Sequence, residues 1–65
     1  MEKISENEVQ NLMTKLDRPT QNEQRIYEFA DLVVYINDFT FSDNSMLRMI
    51  GTTTVTGTTF EYYIL

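Results

Sequence analysis

Residues 20–41 read TQNEQRIYEFADLVVYINDFTF, and the architecture turns on where in this segment helix gives way to strand. Pro19 stands just before it and holds Arg18 out of the helical region, so a new element begins at Thr20. Thr20 and Glu23 have capping-box spacing. Ile26, Phe29 and Ala30 would share one helical face, with Glu23, Arg25 and Glu28 outside. On that spacing a second helix is predicted over residues 21–31. From Leu32 the text becomes LVVYINDFTF, whose β-branched and aromatic residues favour a strand over 32–41. A rival reading keeps residues 24–41 extended throughout.

Upstream, the first helix is spelled out by its start. Ser5 and Glu8 form a capping box, with the serine hydroxyl accepting from the Glu8 amide and the glutamate reaching back to the Ser5 amide. Ile4 and Val9 are placed for the hydrophobic staple that accompanies it. Val9, Leu12, Met13 and Leu16 recur at the spacing of one apolar face. Asp17-Arg18-Pro19 then stops the element, which gives a helix from Glu6 to Leu16.

Downstream the chain reads as a β-meander. Ser42-Asp43-Asn44-Ser45 is a cluster of turn formers, residues 47–55 form the second strand, and Thr56-Gly57 closes a hairpin into residues 58–65. A five-residue loop at 42–46 sets Phe41 opposite Leu47 and Phe39 opposite Met49. A two-residue turn at Thr56-Gly57 sets Phe60 opposite Thr53, Tyr62 opposite Gly51 and Ile64 opposite Met49. Alternation then collects Phe39, Phe41, Leu47, Met49, Phe60, Tyr62 and Ile64 on one face, with an aromatic ring sheltering Gly51. The fold predicted is a single α+β domain over residues 1–65, with two N-terminal helices packed on one face of a three-stranded antiparallel meander. The bulky ending TTFEYYIL is its last strand and one edge of the sheet.

Alternation also leaves an apolar set on the other face: Val34, Ile36, Ile50, Tyr63 and Leu65, with Asp38, Arg48 and Glu61 among them. One helical layer covers one side of a sheet, so this set is either shielded by the second helix or available to another molecule. An edge strand without Pro or Lys can also accept a strand from a partner.

Composition narrows the chemistry. With 65 residues, no cysteine and no histidine, disulfides, thiolate metal sites and imidazole ligands are all absent, and a small core needs help from association. Ten acidic residues against five basic ones give a charge of −5, which opposes a phosphate backbone, so direct nucleic-acid binding is not expected. The tyrosines of the sheet lack the basic groove of a single-strand stacking platform. No stretch approaches a membrane span or a signal peptide, and the chain is expected to be cytoplasmic. Ser5 is used by the cap, and Ser42 and Ser45 by the turn. No nucleophile with a base remains, and no enzyme or cofactor is expected. The NDFTFSDNS segment lacks the ligand spacing of a calcium loop. The threonine run 52–59 is ordinary strand composition.

The expectation is therefore a protein-binding module, an inhibitor or adaptor that associates with itself or with a protein target as a homo-oligomer or obligate hetero-complex. Small acidic proteins of this size include ones that bacterial viruses direct at host machinery. The contact residues expected are Ile36, Ile50, Tyr63 and Leu65 as apolar anchors, with Arg48 and Glu61 setting orientation. The alternative is an acidic mimic of nucleic acid that occupies a basic protein through Glu2, Glu6 and Glu8 gathered at the start of the first helix and Glu23, Glu28 and Asp31 along the second. Acidic residues in a first turn also serve the helix dipole.

Overall fold

The computed structural model describes residues 1–65. Its elements are β1 (Glu2–Ile4), α1 (Glu6–Leu16), β2 (Thr20–Glu28), β3 (Val33–Thr40), β4 (Met46–Thr54) and β5 (Gly57–Ile64). All five strands join one antiparallel sheet in the order β1-β5-β4-β3-β2. This corrects the fold expected from the sequence, which had two helices on a three-stranded meander. There is one helix, the meander has four strands, and β1 adds a fifth outside β5.

The segment expected to be the second helix is β2. As a helix it would have offered only Ile26, Phe29 and Ala30 for burial, and a helix this short needs a packed apolar face to persist. As a strand it pairs with β3 from Thr20 opposite Thr40 to Glu28 opposite Val33, with one bulge at Asn22. The Thr20-Glu23 spacing therefore caps nothing. After Glu28 the chain reverses through a turn in which the Phe29 amide donates to the Leu32 carbonyl at 2.9 Å.

α1 has the limits and the cap that its sequence spells. The Ser5 hydroxyl accepts from the Glu8 amide and the Ser5 amide donates to Glu8 Oε1, each at 3.2 Å. Ile4 and Val9 are both buried. Because Ile4 also ends β1, the cap joins strand to helix with no intervening linker. Ser5→Ala removes an acceptor for an otherwise orphaned amide and is expected to lower stability by about 1 kcal/mol, read as a fall in urea midpoint at unchanged slope.

Both hairpins close two residues away from the expected register. In the first, Thr40 faces Met46 and Phe39 faces Leu47. Phe41 and Ser45 bracket a three-residue loop whose last residue, Asn44, takes φ 70. That is the type I turn followed by a left-handed residue common in such loops. Asp43 braces it, accepting from the Ser45 amide at 2.9 Å and the Ser45 hydroxyl at 2.6 Å. In the second, Thr54 faces Gly57, so the two-residue loop is Val55-Thr56 and Gly57, at φ 136, opens β5. Since both shifts are by two residues, every side chain keeps its face. The ring over Gly51 is consequently Phe60, not Tyr62: a Cβ on Gly51 would lie 3.0 Å from the Phe60 ring.

The core sits at one end of the helix-bearing face. Ile4, Val9, Phe41 and Leu47 are buried, with Leu12, Leu16, Phe39, Tyr62 and Ile64 packed around them. Ser42 ties the end of α1 to this corner, its hydroxyl donating to the Leu16 carbonyl at 3.1 Å. Eleven helical residues span about 16 Å, whereas the molecule is 39 Å long. α1 thus roofs less than half of the sheet. Phe60, expected in the core, lies beyond it and is 53% exposed, and Met13 stands at the rim.

Candidate functional site

The side of the sheet away from α1 carries no covering element. Pairing across the strands places its side chains in rows. One row runs Lys3, Tyr63, Arg48, Asp38, Glu23 across β1, β5, β4, β3 and β2, and the next runs Glu61, Ile50, Ile36, Arg25. Beyond it come Thr59, Thr52, Val34 and Tyr27. Leu65 continues the face past β5, its amide donating to the Met46 carbonyl at 3.0 Å. The structure therefore gathers Ile36, Arg48, Ile50, Glu61, Tyr63 and Leu65 onto one open surface.

Its electrostatic centre is the Arg48–Asp38 pair. Arg48 Nε donates to one carboxylate oxygen at 2.8 Å and Nη2 to the other at 2.9 Å, the two-pronged geometry that fits guanidinium to carboxylate. The hydrogen bonds from Arg48 hold the Asp38 carboxyl below its usual range, with the nearby Arg25 charge adding to the effect. The pairing raises Arg48 in turn, and Glu23 and Tyr27 lie close enough to contribute. Glu23 and Asp38, both acidic and directly opposed, are thus compensated by Arg48 and Arg25, with Arg25 Nε 3.8 Å from Glu23. At the other margin Glu61 is held by Lys3 at 3.2 Å and by the Tyr63 hydroxyl at 3.3 Å.

Lys3, Arg25 and Tyr27 escaped the sequence reading of this face, although the alternation of Glu23, Arg25 and Tyr27 with Gln24 and Ile26 was there to be read as a strand. The edge expected at the third meander strand also moves. β1 covers β5 at Tyr62, Tyr63 and Ile64, so the long unpaired edge of the sheet belongs to β2.

The acidic residues of the alternative reading do not converge. Glu2, Glu6 and Glu8 gather at β1 and the start of α1, with Glu8 engaged in the cap. Glu23 and Glu28 lie on β2 and Asp31 just beyond. β1 and β2 are opposite edges of a five-stranded sheet, four strand spacings or about 19 Å apart. A shallow hollow of about 410 Å³ between α1 and the β3–β4 loop is lined by Glu2, Glu8, Lys15 and Asp43. Its Glu8 and Asp43 carboxylates already accept from Ser5 and Ser45. No helix is long and apolar enough to cross a membrane.

Comparison of the chain with family models, with curated proteins and with solved structures finds no match. The functional reading therefore rests on the chain's own surface.

Proposed function

We propose that this chain is a small acidic protein-binding module, an inhibitor or adaptor, that docks a protein target on the open sheet face. The observation that carries the reading is a five-stranded sheet roofed on one side only, in a chain where seven of 65 residues are buried. A face bearing Val34, Ile36, Ile50 and Tyr63 without a covering element has the composition of an interface centre, apolar and aromatic, with Arg48 and Glu61 to orient a partner. Arg48 arrives already neutralised by Asp38, so an apolar partner surface can cover it without stranding a charge. The acidic-mimic alternative has lost the second helix on which half of its carboxylates were to stand.

The test is affinity capture from nuclease-treated lysate of the source cell, eluted in rising salt. The wild-type chain should retain one protein in stoichiometric amount, through salt that would strip a purely ionic contact. Ile50→Glu places a charge at the centre of the face and should abolish retention while the thermal unfolding midpoint stays within a few degrees. Retention that survives Ile50→Glu, or capture of nothing beyond the bait, would overturn the proposal.

A further inference from the structure

We infer that the free edge of β2 is a self-association site, at which two copies of this chain pair antiparallel about a two-fold axis through Ile26. The site is an edge, separate from the open face, and stands whether or not that face takes a target.

β2 is hydrogen-bonded to β3 on one side and to nothing on the other. An edge of nine residues without proline or lysine is the kind that pairs with another strand. Its two halves differ. The bulge at Asn22 interrupts the first half, while residues 23–28 run in unbroken register with β3. The regular half also concentrates exposed apolar surface: Ile26 is 53% exposed, Tyr27 42% and Phe29, just past the strand, 61%.

Symmetry and charge choose the occupant and the register. In a two-fold pair that continues the sheet, directly opposed residues must share a face, so the axis falls on a residue and not between two. Centred on Glu23, Arg25 or Glu28 it would oppose like charges, and centred on Gln24 it would run into the bulge on both copies. Centred on Tyr27 it would set Ile26 against Glu28. The Ile26 centre sets Ile26 against Ile26, Arg25 against Tyr27 and Gln24 against Glu28, the last two occurring twice. Each is a favourable cross-strand pair: apolar on apolar, a guanidinium beside an aromatic ring, and an amide donor to a carboxylate.

The same axis extends a row on the helix-bearing side. Ile26 faces Tyr35, Tyr35 faces Gly51, and Gly51 faces Phe60. This row lies beyond the reach of α1, with Phe60 as exposed as Ile26. Pairing at Ile26 makes it continuous through both copies of a ten-stranded sheet. Five opposed residue pairs bury less than the roughly 1,200 Å² of a standard interface, which places the dissociation constant in the micromolar range or weaker.

Sedimentation equilibrium over about 5 μM to 1 mM tests it directly, since that span brackets a constant on the order of tens to hundreds of micromolar. The weight-average mass should climb from 7.7 kDa toward twice that value, and Ile26→Lys should shift the curve about tenfold to higher concentration. Register is read by cysteine, of which the chain has none. Ile26→Cys should form a covalent dimer under mild oxidation. Gln24→Cys, whose two copies would lie about 14 Å apart in this register, should stay monomeric. A wild-type mass that remains at the monomer value, or cross-linking equally fast at both positions, would overturn the inference. Neither result would touch target capture by the open face, which is read by Ile50→Glu.

Discussion

Phe41→Ala is expected to leave the chain largely unfolded at 25 °C. Phe41 is 2% exposed and is the largest side chain so fully enclosed, in contact with a core of which Ile4, Val9 and Leu47 are the other buried members. Removing a buried phenylalanine costs about 3–5 kcal/mol through lost transfer energy and the cavity left behind. A single core of this size without a disulfide supplies a net stability of about 3–5 kcal/mol in total, so the single substitution matches the whole margin. Far-UV circular dichroism in the absence of denaturant should show loss of the sheet signal. Phe41→Leu, which keeps most of the volume, should remain folded with a lowered urea midpoint. A Phe41→Ala protein within about 1 kcal/mol of wild type would place the core elsewhere.

The second large effect is expected at Arg48. Arg48→Met leaves the Asp38 carboxylate, its side chain only 10% exposed, without its two-pronged partner. Stranding a charge in that position costs about 1.5–3 kcal/mol at neutral pH. Replacing both residues, as in Asp38→Thr with Arg48→Val, should recover most of the loss, because a pair of this kind stabilises little beyond a well-packed apolar pair. The pH dependence carries a definite sign. Asp38 is held below its ordinary value of 3.8 by Arg48, so the folded state binds its proton less readily than the unfolded state. Its contribution is complete above about pH 5 and is lost as pH falls below 3.8 through the depressed folded value. Urea midpoints of wild type and Arg48→Met should therefore converge as pH falls below 4. A gap that stays constant from pH 7 to pH 3 would mean that the substitution acts through packing and not through the carboxylate.

The α1 cap and limits were legible because capping is local: Ser5, Glu8, Ile4 and Val9 interact within one turn, and nothing distant competes with them. The two sheet faces were legible for a related reason, since alternation is a property of each strand alone. Alternation fixes a register only to the nearest even number, however. Both hairpins accordingly kept the right faces while slipping by two, and the choice was made by the left-handed Asn44 and by Gly57, not by the hydrophobic pattern. The candidate surface inherited this robustness: Ile36, Arg48, Ile50, Glu61, Tyr63 and Leu65 share a face in either register.

The segment 20–28 was the least legible part. Thr20 and Glu23 are spaced for a helix, Glu23, Arg25 and Tyr27 for a strand, and with Ile26 and Tyr27 as the only large apolar side chains, both exposed, neither pattern carries much burial energy. What decides between them is the unpaired backbone of β3, a partner supplied by the fold and invisible in the segment itself. With β2 recruited to that edge, no second helix remains to cover the far face, and the surface that the sequence left either shielded or free is free. The sequence by itself thus determined the helix, its cap, the composition of both faces and the absence of histidine and cysteine chemistry, all of which are set by neighbours within a few residues. Tertiary structure alone decided the strand order, the end of the sheet that α1 roofs, the pairing of β1 with the Tyr62–Ile64 end of β5 and the exposure of the β2 edge. Each of those depends on which distant backbone groups pair with one another, and no local pattern encodes that competition.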